Sequence, residues 1–163
     1  MSKRRKALLS RRVDVTYDVM LVLDTNILVA GLWSRSGASF RLLEMAVSGE
    51  LAFAVSVALA LEYEAVLKRA QMREASWASL GELEDLLDAL LAKAKLVMPI
   101  RTKLRPTLSD PGDDMVLECA VQAGADVIVT MNIKDFAAAR RMYRIEVFKP
   151  GAALERLREG DLS

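Results

Sequence analysis

A run of apolar residues ends in a carboxylate: positions 19 to 30 read Val-Met-Leu-Val-Leu-Asp-Thr-Asn-Ile-Leu-Val-Ala. Short apolar runs rich in branched side chains form strands buried on both faces of a parallel sheet, and open parallel sheets bind their ligands beyond the carboxyl ends of the strands. Asp24 stands at such an end. It could instead cap a following helix, but Thr25 or Asn26 would do so without placing a charge beside the core. Glu62 has Ala58, Leu59, Ala65 and Val66 three and four residues away, so it projects from a helical face expected to pack on the sheet. Glu64, by contrast, has Lys68 four residues on and reads as half of a solvent-exposed pair.

Two further groups complete the set. In Ser109-Asp-Pro-Gly-Asp-Asp-Met-Val-Leu-Glu-Cys-Ala120, Asp113 precedes Val116, Leu117 and Ala120 at helical spacing and shares their inward stripe. Asp114 stacks with Glu118 instead, so Asp113 is the better ligand; Asp110 and Asp114 suit turn or capping roles. After the apolar stretch 126 to 130 come Asn132 and Asp135, polar groups that could reach the same crevice or form a turn with an Asp cap. Acids converging from separate elements repel one another unless a cation lies among them. Oxygen-only ligands select Mg²⁺ or Mn²⁺, ions that activate water and stabilise in-line displacement at phosphorus. The set implies metal-dependent hydrolysis of phosphodiesters.

The elements that would carry these groups alternate. Strand-like segments occur at 19 to 23, 51 to 55, 95 to 98, 126 to 130 and 144 to 148. Helical patterns occur near 38 to 48, 57 to 70, 80 to 94, 113 to 123, 134 to 142 and 151 to 158. This alternation specifies an α/β fold, a three-layer α/β/α sandwich around a parallel sheet of four or five strands. The Pro-bearing stretch 99 to 111 reads as one loop rather than a linker. Its Arg101, Lys103 and Arg105 suit either a phosphate backbone or solvent.

Composition sets the bounds. A chain of 163 residues with 53% apolar content suits one domain with a sizeable core. The absence of histidine removes Ser-His-Asp and Cys-His nucleophiles, His-ligated zinc and histidine acid-base chemistry together. Cys119, the single cysteine, reads as a small buried hydrophobe. No membrane span or signal-peptide core is visible, so a cytoplasmic protein is expected. Six of the 23 basic residues (Lys3, Arg4, Arg5, Lys6, Arg11, Arg12) precede residue 13, leaving 17 basic against 22 acidic side chains and a formal charge of −5 beyond them. A basic, flexible segment 1–18 is therefore expected before a domain spanning 19–160; it could hold a polyanion or be simply solvated.

Leu-Asp-Thr-Asn at 23 to 26, Ser56 with Glu62-Tyr63 and Val66-Leu67, Asp113 with Leu117 and Ala120, and Val129-Thr130 with Asp135-Phe136 together resemble the PIN-domain nucleases. The likeness spans about 19 to 150 and is strongest to the bacterial and archaeal branch of toxin components of toxin-antitoxin pairs, in which an Asp-Pro-x-Asp stretch like Asp110 to Asp113 precedes the third acid. It implies that Asp24, Glu62 and Asp113 hold Mg²⁺ or Mn²⁺. The fourth position falls on Asn132, where many members have Asp, or on Asp135, where some toxins have an acid. Thr25 or Thr130 would support the ligands. The resemblance also implies single-stranded RNA as substrate, cleavage by water to a 5′-phosphate and 3′-hydroxyl, an antitoxin protein as partner, and a homodimer.

Rival readings leave marks that the chain lacks. Aspartyl-phosphate phosphatases place a second Asp where Asn26 stands, and a dinucleotide-binding domain needs a Gly-rich turn after the first strand. A catalytically impaired PIN-like module that binds RNA or regulates is the alternative from another class, drawing on Asn132 at the fourth position.

Overall fold

The computed structural model describes residues 19–69, 74–98, 108 and 111–162. The basic segment 1–18, Asp110 and the loop cations Arg101, Lys103 and Arg105 lie outside the described residues. In chain order the described elements are β1 (Met20–Leu23), α1 (Thr25–Trp33), α2 (Ala38–Ser48), β2 (Ala52–Ser56), α3 (Val57–Lys68), α4 (Leu80–Lys93), β3 (Lys95–Val97), α5 (Pro111–Ala123), β4 (Val127–Val129), a 3-10 helix (Ile133–Phe136), α6 (Ala137–Tyr143), β5 (Glu146–Phe148) and α7 (Pro150–Glu159). The five strands form one sheet in the order β3-β2-β1-β4-β5. Every pairing is parallel, with Leu21 opposite Phe53 on one side and Val127 on the other. Helices flank this sheet to give the expected α/β/α sandwich.

Local chemistry explains the boundaries. Ser56 ends β2 and caps α3, its hydroxyl accepting from the Leu59 N–H at 3.2 Å. α4 starts in a reciprocal capping box between Ser79 and Glu82. α2 ends at Gly49, whose φ of 79° is the left-handed conformation that glycine adopts without strain. The central strands bury both faces: Leu21, Val22, Phe53, Val55, Ile128 and Val129 are essentially inaccessible.

Two elements differ from the pattern read along the chain. The expected helix near 134 to 142 is divided into the 3-10 helix and α6, because Asp135 and Phe136 lie in a tight turn whose Asp135 N–H donates to the Asn132 carbonyl. α1 was not among the expected helical patterns. Its sequence, Thr-Asn-Ile-Leu-Val-Ala-Gly-Leu-Trp, is apolar on nearly every side and carries no helical periodicity to detect. α1 packs against α2 and α3, and Gly31 lies close against α2.

A Cβ at Gly31 would stand 2.5 Å from the Leu43 Cδ1 and 3.3 Å from the Phe40 backbone. The leucine tip can turn aside, but the Phe40 backbone cannot. Gly31→Ala should therefore destabilise the fold by about 1–3 kcal/mol, as overpacking does in a close-packed core. Denaturant titration measures this, and an unchanged midpoint would mean that α1 and α2 separate freely.

Candidate active site at the topological switch point

The chain leaves β1 for β2 and β3, then returns to the other side of β1 for β4 and β5. The connections leaving β1 and β4 consequently diverge, opening a crevice at their carboxyl ends, the place where open α/β sheets take their ligands. Asp24 follows β1 and Thr130 follows β4. The Asp24 N–H donates to the Val129 carbonyl at 2.9 Å, and the Thr130 N–H to the Phe148 carbonyl at 3.0 Å, so the ladder fixes both backbones one residue beyond the strands.

The Asp24 side chain is buried, 5% exposed. It sits at the N-cap position of α1 yet makes no capping hydrogen bond. Its Oδ2 accepts from the Thr130 hydroxyl at 2.7 Å and its Oδ1 from the Thr25 hydroxyl at 3.3 Å. Burial raises its pKa from the ordinary carboxylate value. The hydrogen bonds from Thr130 and Thr25 work against that rise, and the negative charge of Asp135 adds to it. Asn26 links the two halves of the crevice: its Nδ2 donates to the Thr130 Oγ1 at 3.4 Å, and its Oδ1 accepts from the Met131 N–H at 3.2 Å. The Asn132 N–H also donates to the Thr130 Oγ1, at 3.1 Å.

The other expected residues are placed unequally. Asp135, half-buried on the 3-10 helix, is an electrostatic neighbour of Asp24. Asn132 is exposed and meets the network through its backbone N–H. Glu62 is half-buried at the border of the packed face: Leu59 and Val66 beside it are buried, whereas Ala58 and Ala65 are exposed. Its Oε1 lies 3.7 Å from the Arg69 Nη2. Asp113 stands half-buried in the first turn of α5. The helix-phase reading put Asp113 on the inward stripe and Asp114 with Glu118 off it, but in the fold Asp114 and Glu118 are the more buried. α5 contacts β1, β2, β3 and β4 as well as α3 and the 3-10 helix, so more than one of its faces is enclosed. Among the described residues, no three Asp, Glu, Cys or His side chains are drawn together closely enough in this arrangement to hold a metal ion between them.

One residue has a role that spacing alone does not disclose. The Tyr63 hydroxyl donates to the Leu23 carbonyl, hooking α3 onto the end of β1 beside Asp24. Burial, with Cys119 and Asp24 nearby, raises the Tyr63 phenol well above its ordinary pKa, so it remains a donor. Cys119 is buried and its thiol is pushed up to about 11 by that burial, as expected of an inert core side chain.

Sheet order and switch point together define a parallel α/β fold of the PIN type. The PIN-domain family model matches residues 20–134, and the chain belongs to this family of nucleases. Among solved structures it is similar to the crystal structure of VapBC2 from Rickettsia felis bound to a DNA fragment from their promoter. That likeness has a TM-score of 0.50 at 17% identity, covering 79% of this chain and 97% of that chain. At this identity it is a likeness of fold. Comparison with curated proteins gives no match.

The raised pKa of Asp24 has a consequence for stability. Between the unfolded value of 3.8 and the higher folded value, the native state binds the proton more tightly. Its destabilising contribution is thus absent well below 3.8 and grows as pH rises through the folded pKa. Asp24→Asn should melt higher than the parent in chelator at pH 7, with the difference shrinking as pH falls towards about 4. A variant melting lower at pH 7 would show that the threonine hydrogen bonds outweigh the burial.

Proposed function

We propose that the protein is a metal-dependent endoribonuclease that cuts single-stranded RNA, and that it is the toxin of a toxin-antitoxin pair. The observation that carries this reading is the buried Asp24 carboxylate at the switch point, held by hydroxyls with Asp135 beside it. Membership of the PIN-domain family supports the nuclease activity, and the likeness to VapBC2 supports an antitoxin partner. The reading places the protein in the cytoplasm as a homodimer. No described helix is long and apolar enough to cross a membrane.

The donor set fits a hard divalent cation, Mg²⁺ or Mn²⁺, because its groups are carboxylate and amide oxygens and the most buried of them, Asp24, is held by neutral hydroxyls. Drawn together around the ion, Asp24, Glu62, Asp113 and Asp135 would hold it, with Asn132 as the alternative at the fourth position. When bound, such an ion supplies charge neutralisation at phosphorus and a water of lowered pKa. Thr130 and Thr25 orient the Asp24 carboxylate towards that task, and Asn26 fixes the loop that follows β4. No covalent intermediate is needed.

A second reading, a PIN-like RNA-binding or regulatory module without activity, draws on the pairing of Glu62 with Arg69. Cleavage decides between them. The parent should cut single-stranded RNA with Mn²⁺ or Mg²⁺ and stop in excess chelator, and Asp24→Asn and Asp113→Asn should each lower the rate by more than about 100-fold, beyond the loss of a supporting partner. Mn²⁺ at about 100 times its dissociation constant should stabilise the parent by about 2.7 kcal/mol. Asp113→Asn should gain much less. Full activity in chelator would sink the mechanism, and equal metal-induced shifts in the two proteins would remove Asp113 from the ligand set.

The partner provides a separate test. An antitoxin should inhibit by inserting a cationic side chain among the carboxylates, where it meets an acidic sink. Binding measured by calorimetry should weaken in the Asp24, Glu62 and Asp113 variants; unchanged affinity in all of them would place the inhibitory contact elsewhere.

A further inference from the structure

Asp114 is the most deeply buried acid among the described residues, with no accessible surface, although it stands beside the candidate ligand Asp113 in the first turn of α5. Its Oδ1 accepts from the backbone N–H of Leu108 at 3.0 Å, six residues back along the chain. Its Oδ2 is buried and has no hydrogen-bond partner among the described residues. A buried carboxylate oxygen left unsatisfied costs free energy, so the bond from Leu108 to the other oxygen is kept against that cost. The first turn of a helix also has N–H groups with no partner inside the helix, and it frays unless the chain leading into it is fastened. Leu108 is itself buried in the core. The Asp114 carboxylate therefore ties the start of α5 to an anchored residue, and Asp113 is carried on the turn so tied.

We propose that Asp114 is a positioning residue for Asp113: it holds no metal and touches no substrate, but it fixes the helical turn from which Asp113 reaches the crevice. The inference rests on the reading of Asp113 as a metal ligand. The fastening depends on the acceptor oxygen rather than on the charge. Asp114→Asn keeps that oxygen and Asp114→Ala removes it.

The test combines Mn²⁺ binding by calorimetry with amide hydrogen exchange of the full chain. Asp114→Asn should bind Mn²⁺ within about twofold of the parent, keep the Leu108 amide protected, and melt no lower than the parent. Asp114→Ala should speed exchange at Leu108 and weaken Mn²⁺ binding by about tenfold, the range expected for a partner that orients a ligand. The amide of Leu21, deep in the sheet, should show much less change. An alanine variant that exchanges faster at Leu108 yet binds Mn²⁺ as the parent does would overturn the inference alone. An Asn variant that loses as much affinity as Ala would make Asp114 a ligand through its charge, and also overturns it. A parent that binds no Mn²⁺ would overturn the metal reading together with this one.

If the alanine variant does not fold, the parent supplies the answer. Coupling is reciprocal, so a fastening that helps bind metal must itself be strengthened by metal. Saturating Mg²⁺ should slow exchange at Leu108 more than at Glu82, the amide of the remote capping box in α4. Equal slowing at the two amides would count against the proposal.

Discussion

A single hydroxyl, that of Thr130, sets the geometry of the crevice. A threonine hydroxyl has one hydrogen to give and two lone pairs to receive with, and here all three are used. The hydrogen goes to the Asp24 Oδ2, and the lone pairs receive from the Asn26 Nδ2 and the Asn132 N–H. The three partners come from the end of β1, from α1 and from the loop after β4. The group is 0% exposed, so water does not compete for these bonds. Burial of the Asp24 carboxylate, unfavourable by itself, is sustained at this one place because the strand order puts the ends of β1 and β4 side by side and the Val129 carbonyl fixes the Asp24 backbone.

Around that contact the helices act as clamps. Tyr63 satisfies the Leu23 carbonyl from α3, which ties Glu62, its neighbour in sequence, to the same end of the sheet. Asn26 does the equivalent from α1 by receiving the Met131 N–H. The result is a carboxylate whose position is set by several separate elements, all of them anchored in one core that includes Leu23, Ile27, Val129 and Phe136. Such positioning by rigid elements is what a reactive site requires.

The sheet and most helices were legible in the sequence because short apolar runs alternate with helical periodicity, and Asp24 was legible because a charge interrupts such a run. α1 was hidden by its own burial, being apolar almost all round. The phase of α5 separated Asp113 from Asp114, yet phase names the face of a helix and not what covers it, and the face of Asp114 is covered too. The bridge from Thr130 to Asp24 spans 106 residues and leaves no local spacing to read. Spacing left Asn132 and Asp135 open as partners of the site; in the fold Asp135 is the one whose charge reaches Asp24, while Asn132 is exposed.

The candidate acids are supported in two different ways, and the difference bears on chemistry. Glu62 is half-buried and lies 3.7 Å from the exposed guanidinium of Arg69, a pair that solvent screens. Asp24 is held by hydroxyls and a backbone amide, which orient the carboxylate without neutralising it, and Asp135 adds a second negative charge. Neutral donors thus oppose the rise in pKa that burial imposes on Asp24, and they add no positive charge that would compete with a cation or a cationic partner. An Arg or Lys in place of Thr130 would satisfy the same oxygen and discharge the site. A hydroxyl at this position is therefore the choice that lets the carboxylate be both buried and available.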